Sequence, residues 1–164
     1  MKSIREIQFH KVWSKNDSFI KKQAMEFWKK QNVLINEEVL EQRSRELIMV
    51  ATDGNQNIIA TSTAVKRKLQ TLNNNWFYEY RCFIAQSNRV LGFDTHLTLE
   101  SLQALEEDST SDPDKPIGVY VVAENENLHK KVTEAVWRPY KMYFIGFTVK
   151  GLPIRVYYFK GAMI

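Results

Sequence analysis

Apolar residues along this chain follow two different spacings, one typical of helices and one typical of strands. They recur at three- or four-residue intervals over 19–28 and again over 93–107, which indicates amphipathic helices. Elsewhere β-branched and aromatic residues concentrate in short runs bounded by polar turns, which indicates strands. The predicted strands are Ile4–Val12, Leu47–Thr52, Asn57–Val65, Trp76–Ala85, Ile117–Ala123, Met142–Lys150 and Ile154–Lys160, and two further helices are predicted over Glu37–Arg45 and near Glu126–Trp137.

The chain also carries residues that begin helices and turn strands. Asn16 or Asp17 is placed to cap the first helix, and Asn36 is placed to cap the second. Asp53-Gly54 separates two apolar runs, which is typical of a tight turn between antiparallel strands. We therefore expect two consecutive helices followed by a β-hairpin.

The predicted elements follow the order β-α-α-β-β-β-α-β-α-β-β, which is typical of an α/β protein. Hairpins make neighbouring strands antiparallel, whereas the strand–helix–strand connection from 76–85 to 117–123 requires a parallel pair. The sheet is therefore expected to be mixed, with helices on both faces. A chain of 164 residues has room for one ordinary domain, so we expect a single domain over 1–164.

Composition narrows the class of protein. Hydrophobic residues make up 44% of the chain and aromatic residues 12%, which excludes an intrinsically disordered protein. Cys82 is the only cysteine, and with three scattered histidines it predicts neither a disulfide nor a metal site. The N-terminal residues lack the apolar run of a signal peptide, and no run of 18 apolar residues occurs. We therefore expect a cytoplasmic protein that does not bind a membrane.

The net charge of +4 is unevenly distributed along the chain. Residues 1–69 carry +5, residues 70–115 carry −5 and residues 116–164 carry +4. This pattern fits either an anionic partner on one surface or an ordinary mixed, solvated surface. Lys66-Arg67-Lys68 lies at the end of a predicted strand, where it could attract phosphates or nucleic acid or could simply face solvent.

The junction between the strand that ends at Ala85 and the helix that starts at Phe93 is a candidate anion site. Gly92 lets the backbone approach a ligand closely, and the first N–H groups of a helix point at whatever lies there. Together with the helix dipole and the charge of Arg89, they suit a phosphate or pyrophosphate. A glycine in a strand-to-helix turn is also an ordinary structural feature.

The segment Arg89-Val90-Leu91-Gly92-Phe93-Asp94, preceded by Gln86, resembles the Arg/Gln-x-x-Gly-x-Gly/Ala motif of the GNAT N-acetyltransferase superfamily. The resemblance extends to the order of elements over nearly the whole chain. It implies a GNAT-like α/β domain with a mixed, mostly antiparallel sheet of six to seven strands. It also implies transfer of an acetyl group from acetyl-coenzyme A to an amine.

The resemblance assigns roles to particular residues. Backbone N–H groups of the motif hold the coenzyme's pyrophosphate, and the strand before it lies along the pantetheine and donates to the thioester carbonyl. The implied coenzyme-binding residues are Phe83, Ile84, Ala85, Arg89, Val90, Leu91, Gly92, Phe93, Asp94 and Thr95.

Catalytic and acceptor residues are less defined. Glu79 is the best acidic candidate for a general base, although it also fits an outward-facing strand charge. Tyr140 is a candidate general acid, because the helix in which the family often places a tyrosine has none here. Trp28, Trp76 and Tyr78 are the candidates for lining an apolar acceptor site, by analogy with the family.

Asp94 departs from the motif, where glycine or alanine is usual. A carboxylate in the first helical turn stabilises an empty helix N-terminus but repels a bound pyrophosphate. A catalytically inactive GNAT-fold binding module therefore stays open as an alternative to the enzyme. The basic terminal regions leave open a second, less favoured alternative, a nucleic-acid binder. The partners expected for the enzyme are a small-molecule or peptide amine and, as a further hypothesis, a second copy of the chain.

Overall fold

The computed structural model describes residues 6–124, 130 and 133–164. Its first two helices begin at residues whose side chains cap them. Asp17 Oδ1 accepts a hydrogen bond from the N–H of Ile20 at 3.0 Å, and Asn36 Oδ1 accepts one from the N–H of Val39 at 3.1 Å. The α-helices are α1 (Ser18–Lys30), α2 (Glu37–Arg45) and α3 (Phe93–Ser109), and short 3₁₀ helices span Gln70–Leu72 and Gln86–Asn88.

Eight strands occur in the described residues. Their order in the sheet is β1-β2-β3-β4-β5-β8-β7-β6. Most of the assigned pairs are antiparallel, and β4 pairs parallel with β5. The strands are β1 (Gln8–Lys11), β2 (Leu47–Thr52), β3 (Ile58–Leu69), β4 (Asn75–Ile84), β5 (Gly118–Val122), β6 (Val136–Trp137), β7 (Met142–Phe147) and β8 (Pro153–Tyr158).

The chain divides into two compact units. The first unit comprises Met1–Ala64 and Arg81–Leu105, and the second comprises Val65–Tyr80 and Glu106–Ile164. The polypeptide of β3 and of β4 passes from one unit to the other. The core of the first unit contains Ala24, Phe27 and Trp28 of α1, and that of the second contains Phe77, Tyr120 and Val156.

Helices cover both faces of the sheet in the first unit, as predicted. Trp28 Nε1 of α1 donates to Thr61 Oγ1 at 2.9 Å, and the hydroxyl groups of Ser62 and Ser101 lie 2.7 Å apart. Thr61 and Ser62 are consecutive in β3, and consecutive strand side chains point to opposite faces. Therefore α1 lies on one face and α3, which carries Ser101, lies on the other.

The predicted order of elements is confirmed in the described residues, with one difference. The hairpin at Asp53-Gly54 and the parallel pair of β4 and β5 are both present. The sheet has eight strands instead of six or seven, because the end of the helix predicted near Glu126–Trp137 is a strand. The earlier part of that prediction (125–129 and 131–132) lies outside the described residues.

Pairing with the following strand explains why Val136 and Trp137 are extended. Val136 pairs with Tyr143 and Trp137 pairs with Met142 across a tight connection, and the Trp137 ring packs edge-on against Tyr140 at 4.6 Å. β-branched and aromatic residues fit such a pleated, half-buried surface. Helical periodicity counts only residues on the same segment, so it misses a partner strand that follows a few residues later.

None of the helices in the described ranges combines the length and the apolar character needed to span a membrane.

Candidate functional site

The turn between β4 and α3 has the geometry that its sequence predicts. Gly92 has a φ of +82°, a conformation that side chains disfavour and glycine tolerates. The carbonyl of Gly92 accepts the N–H of His96 at 3.0 Å, so Gly92 is the residue from which α3 begins. Phe93 is fully buried and meets the Phe9 ring at 5.9 Å, which anchors the first turn of the helix. The positive end of α3 is therefore held in a defined position beside the turn.

The end of β4 directs one edge of its backbone toward this turn. The N–H of Ala85 donates to the carbonyl of Ile59 at 2.9 Å, so this edge of Ala85 faces β3. Successive residues of a strand direct their N–H and C=O groups to opposite edges. Ile84 therefore presents its backbone away from β3, and its carbonyl accepts Arg89 Nε at 3.3 Å.

Charge at this turn comes from two exposed side chains. Arg89 places its guanidinium against the end of β4, and Asp94 lies in the first turn of α3. Within the described part of the chain, Asp94 makes no side-chain hydrogen bond or ion pair, so it does not cap the helix. Leu91 is 98% exposed and contributes backbone to the turn, while Val90 and Thr95 are half-buried.

The predicted coenzyme-binding residues thus come together in one continuous segment of the first unit. The side chain of Phe83 lies on the α1 face, where its ring meets Phe27 at 5.8 Å, and Ile84 is buried. Both side chains contribute to packing, and Phe83 keeps partial exposure.

Glu79 lies on β4 within the second unit and is 14% exposed. Its Oε2 is 3.4 Å from Arg67 Nε of β3. The carboxylate is therefore oriented by a neighbouring cation and keeps limited access to solvent.

Two of the three predicted acceptor residues lie in the cores. Trp28 is 2% exposed and its indole N–H is taken by Thr61. Tyr78 is fully buried, and its hydroxyl donates to Asp108 at 3.2 Å. Burial, together with the charges of Asp108 and Asp112, raises the pKa of Tyr78 far above its ordinary value, so its phenol stays neutral.

Trp76 and Tyr140 lie in the second unit. Trp76 is half-buried, and Lys68 Nζ lies 5.1 Å from the centre of its ring, within the range of a cation–π contact. Tyr140 is 4% exposed and packs against Trp137. Of the three acceptor candidates, Trp76 alone has partial access to solvent.

The basic stretch Lys66-Arg67-Lys68 is engaged in contacts within the second unit. Lys66 Nζ contacts Asp112 at 3.0 Å and Asp114 at 2.6 Å. These two hydrogen bonds raise the pKa of Lys66. The loop that carries Asp112 and Asp114 is therefore attached to β3 through Lys66. Opposite charges on the two segments were the sequence signal for this contact, but they lie more than 40 residues apart.

A pocket of about 290 Å³ beside the Gly92 turn was not predicted. Asn88 and Val90 line it together with Asp53, Gly54 and Asn55 of the β2–β3 turn. The hairpin signal at Asp53-Gly54 located that turn but not its neighbour, because the pocket forms only when the end of β4 lies beside the start of β3.

Comparisons with known proteins identify the fold. No protein-family model matches the chain, and no curated protein matches its sequence. Among solved structures, it is similar to AtaTR bound with AcCoA, with 12% identity, a TM-score of 0.57 and 95% of each chain covered. It is also similar to an acetyltransferase of the GNAT family from Streptococcus pneumoniae, with 11% identity, a TM-score of 0.51, and 92% of this chain and 96% of that chain covered.

A third similar structure is AtaT complexed with acetyl-methionyl-tRNAfMet, with 13% identity, a TM-score of 0.52, and 93% of this chain and 94% of that chain covered. The chain has the GNAT fold, as the motif at Arg89 to Asp94 predicts. Proteins with this fold include acetyltransferases, and their binding partners differ from one protein to another.

Proposed function

We propose that this chain is an N-acyltransferase that moves an acetyl group from acetyl-coenzyme A to an amine. The observation that carries the proposal is the turn from Arg89 to Gly92, with a positive φ at Gly92 and the N-terminus of α3 directly after it. A similar structure, AtaTR, is bound with AcCoA, which supports the same ligand here.

The backbone of this segment fits the coenzyme. N–H groups of the first turn of α3 and the guanidinium of Arg89 suit a pyrophosphate, and Gly92 brings no side chain between them. The Ala85 N–H is already bonded to Ile59. Ile84 is therefore the residue of 83–85 whose N–H we assign to the thioester carbonyl, since it lies on the edge away from β3.

Asp94 opposes this fit. Two like charges about 4 Å apart repel by about 4 kcal/mol at an effective dielectric constant of about 20. Solvent around an exposed carboxylate reduces that figure. Micromolar affinity corresponds to about 8 kcal/mol. The repulsion therefore weakens coenzyme binding without abolishing it.

The chemistry requires two proton transfers from this chain's residues. When bound, acetyl-coenzyme A supplies the acetyl thioester. The acceptor amine forms a C–N bond to the acyl carbon as the C–S bond breaks, and we assign the amine's proton to the Glu79 carboxylate. We assign Tyr140 as the donor of a proton to the departing sulfur.

The acceptor amine is assigned by its class alone. We assign the half-buried Trp76 to an apolar contact with the acceptor, since Trp28 and Tyr78 are buried in the cores. Small-molecule and peptide amines are the primary candidates. Aminoacyl-tRNA belongs in the same panel, because the similar protein AtaT is complexed with acetyl-methionyl-tRNAfMet.

A second candidate function is a coenzyme-free binding module with the same fold. The charge of Asp94 in the first turn of α3 is the observation that favours it. The two functions differ in one measurable property, which is coenzyme binding by the parent protein.

Isothermal titration of the protein with acetyl-coenzyme A tests the enzyme proposal. We expect a saturable heat and a raised Tm, followed by thiol release when an accepted amine is added. Gly92→Ala should lose binding, whereas Gly151→Ala should keep it. Gly151 has a φ of +78°, so both variants carry the same backbone strain. No heat and no change in Tm at ~1 mM ligand, a concentration far above micromolar dissociation constants, would overturn the enzyme proposal.

A further inference from the structure

A basic cavity of about 200 Å³ lies in the first unit, where β1 leads into α1 and α2 leads into β2. Lys15 of the loop before α1, Lys21 of α1 and Arg45 at the end of α2 line it. The polar residues Ser14 and Asn16 complete its rim. None of these residues belongs to the turn at Gly92, so this cavity is separate from the proposed coenzyme site.

The backbone around the cavity is fixed by hydrogen bonds. The N–H of Val12 donates to the carbonyl of Ile48 at 2.7 Å, and the N–H of Lys15 donates to the carbonyl of Val12 at 2.9 Å. Lys21 Nζ donates to Asn16 Oδ1 at 3.2 Å, across the start of α1. The two lysines are thus carried on anchored backbone at the rim of one cavity.

Nearby carboxylates are committed to other groups. Glu41 pairs with Arg45 at 3.4 Å, and Glu46 lies 3.7 Å from Arg43. Asp17 caps α1 through its Oδ1. In the part of the chain that the structure describes, no carboxylate forms an ion pair with either lysine.

Lys15 and Lys21, neither of which is ion-paired to a carboxylate of the described residues, therefore line the same small cavity. Like charges in one concavity repel, and an anion between them removes that repulsion. The carboxylate of Asp17 caps the N-terminus of α1, so the positive charge at this cavity comes from the side chains that line it. Arg45 pairs with Glu41 through one nitrogen, and its planar guanidinium has further N–H donors suited to phosphate oxygens.

We propose that this cavity binds a phosphate group. A phosphate monoester carries a charge of about −1.5 to −2 at pH 7, which matches the two lysines better than the single charge of a carboxylate. The volume equals that of roughly six or seven water molecules at about 30 Å³ each, so it accommodates one phosphate group with its immediate substituent. The proposal stands independently of the acetyltransferase function.

Amide NMR shifts during titration with inorganic phosphate locate the site. We expect the largest shifts at Ser14, Lys15 and Asn16 and at Arg45, with acetate producing much smaller ones at the same concentration. Shifts confined to the turn at Gly92, or no shifts in the cavity up to ~10 mM phosphate, would overturn the proposal. Even a weak site with a dissociation constant of ~1 mM, about 4 kcal/mol of binding free energy, would be nearly saturated at that concentration.

Lys15→Gln and Lys21→Gln test whether the charges do the binding. Each should weaken phosphate binding about tenfold, because each removes one charge-assisted hydrogen bond. Lys30→Gln is the matched control, since Lys30 is an exposed lysine at the far end of α1, the helix that carries Lys21, and does not line the cavity. Equal effects of all three substitutions would contradict a specific site. Circular dichroism of each variant verifies that the fold is retained.

Separate ligands distinguish the source of the phosphate. Equal affinity for inorganic phosphate and AMP, with no binding of adenosine, indicates a free phosphate or a small phosphorylated molecule. A short single-stranded oligonucleotide that binds much more tightly than AMP, and loses that gain in Lys15→Gln, indicates a nucleic-acid phosphate. Adenosine binding as tightly as AMP would contradict phosphate recognition.

Discussion

Arg89 Nε donates a hydrogen bond to the carbonyl of Ile84, so the cationic residue of the turn is fastened to the last residue of β4. This contact joins the two parts of the proposed coenzyme site. It also explains why an exposed arginine has a defined position beside the N-terminus of α3.

Arg89→Ala should weaken acetyl-coenzyme A binding about tenfold and change Tm little, because an exposed side chain contributes more to an anionic ligand than to folding. The affinity of Arg89→Lys for the coenzyme should fall between those of the parent and Arg89→Ala, since lysine keeps the charge but lacks the planar donor group. Isothermal titration measures both variants. Loss of Tm in proportion to the loss of binding would indicate a structural role instead.

Asp94→Asn should tighten coenzyme binding by about tenfold or more, because it removes the charge that repels a pyrophosphate while keeping the shape of the side chain. It should also lower the stability of the free protein slightly, since an acidic residue favours the helix N-terminus by about 0.3–1 kcal/mol. Glu100→Gln, farther along α3, is the matched control and should leave binding unchanged. If the parent does not bind and Asp94→Asn does, the binding module becomes the better description.

Asp112 should make stability sensitive to acid. Burial acts to raise the pKa of its carboxyl, but hydrogen bonds from Lys66 and from the N–H of Asp114, with the charge of Lys66, outweigh burial and lower it. A lowered pKa in the folded state contributes stability above the ordinary value of 3.8 and loses it as pH falls through the folded value. Urea unfolding from pH 5 downward should therefore lose stability less steeply in Asp112→Asn than in the parent.

Glu38→Gln is the control for this pH dependence, because Glu38 is an exposed carboxylate of α2 outside the network. Its stability should fall with pH along the same slope as that of the parent. An Asp112→Asn slope identical to that of the parent below pH 4 would contradict the assignment.

The raised pKa of Lys66 gives the opposite dependence in base. Its contribution to the free energy of unfolding is present below the ordinary pKa of 10.5 and is lost as pH rises through the higher pKa of the folded state.

Trp28→Phe should lower the free energy of unfolding by about 1–3 kcal/mol, because it leaves the buried hydroxyl of Thr61 without its indole partner. Thr61→Val removes the other partner and should cost a similar amount. The double variant should cost less than the sum of the two, because both remove the same hydrogen bond. Strict additivity in urea unfolding would show that the bond contributes little.

The structural features that depend on neighbouring residues are the ones that the sequence predicts correctly. Asp17 and Asn36 cap the helices predicted for them, and Asp53-Gly54 turns the predicted hairpin, because capping and turning involve residues only a few positions apart. The positive φ at Gly92 belongs to the same class of local signal. Each depends on backbone conformation that the residue type itself favours or permits.

Features that depend on a contact with another segment of the chain are not visible in local sequence patterns. Val136 and Trp137 form a strand because β7 pairs with them, and the spacing of apolar residues within 126–137 does not indicate that pairing. The sequence made Tyr78 a candidate for an acceptor site, but the contact of its buried hydroxyl with Asp108, 30 residues away, depends on the fold.

Local signals in the sequence were enough to predict the mixed sheet and the Arg89–Gly92 turn, since hydrophobic period, caps and glycine act over a few residues. Tertiary structure decided which aromatic residues are core and which keep access to solvent, as Trp28 and Trp76 illustrate. It also decided where charge remains available: Lys66 is neutralised by Asp112 and Asp114, whereas Lys15 lines an open cavity. Burial and ion pairing depend on which distant segments meet, and only the folded chain brings them together.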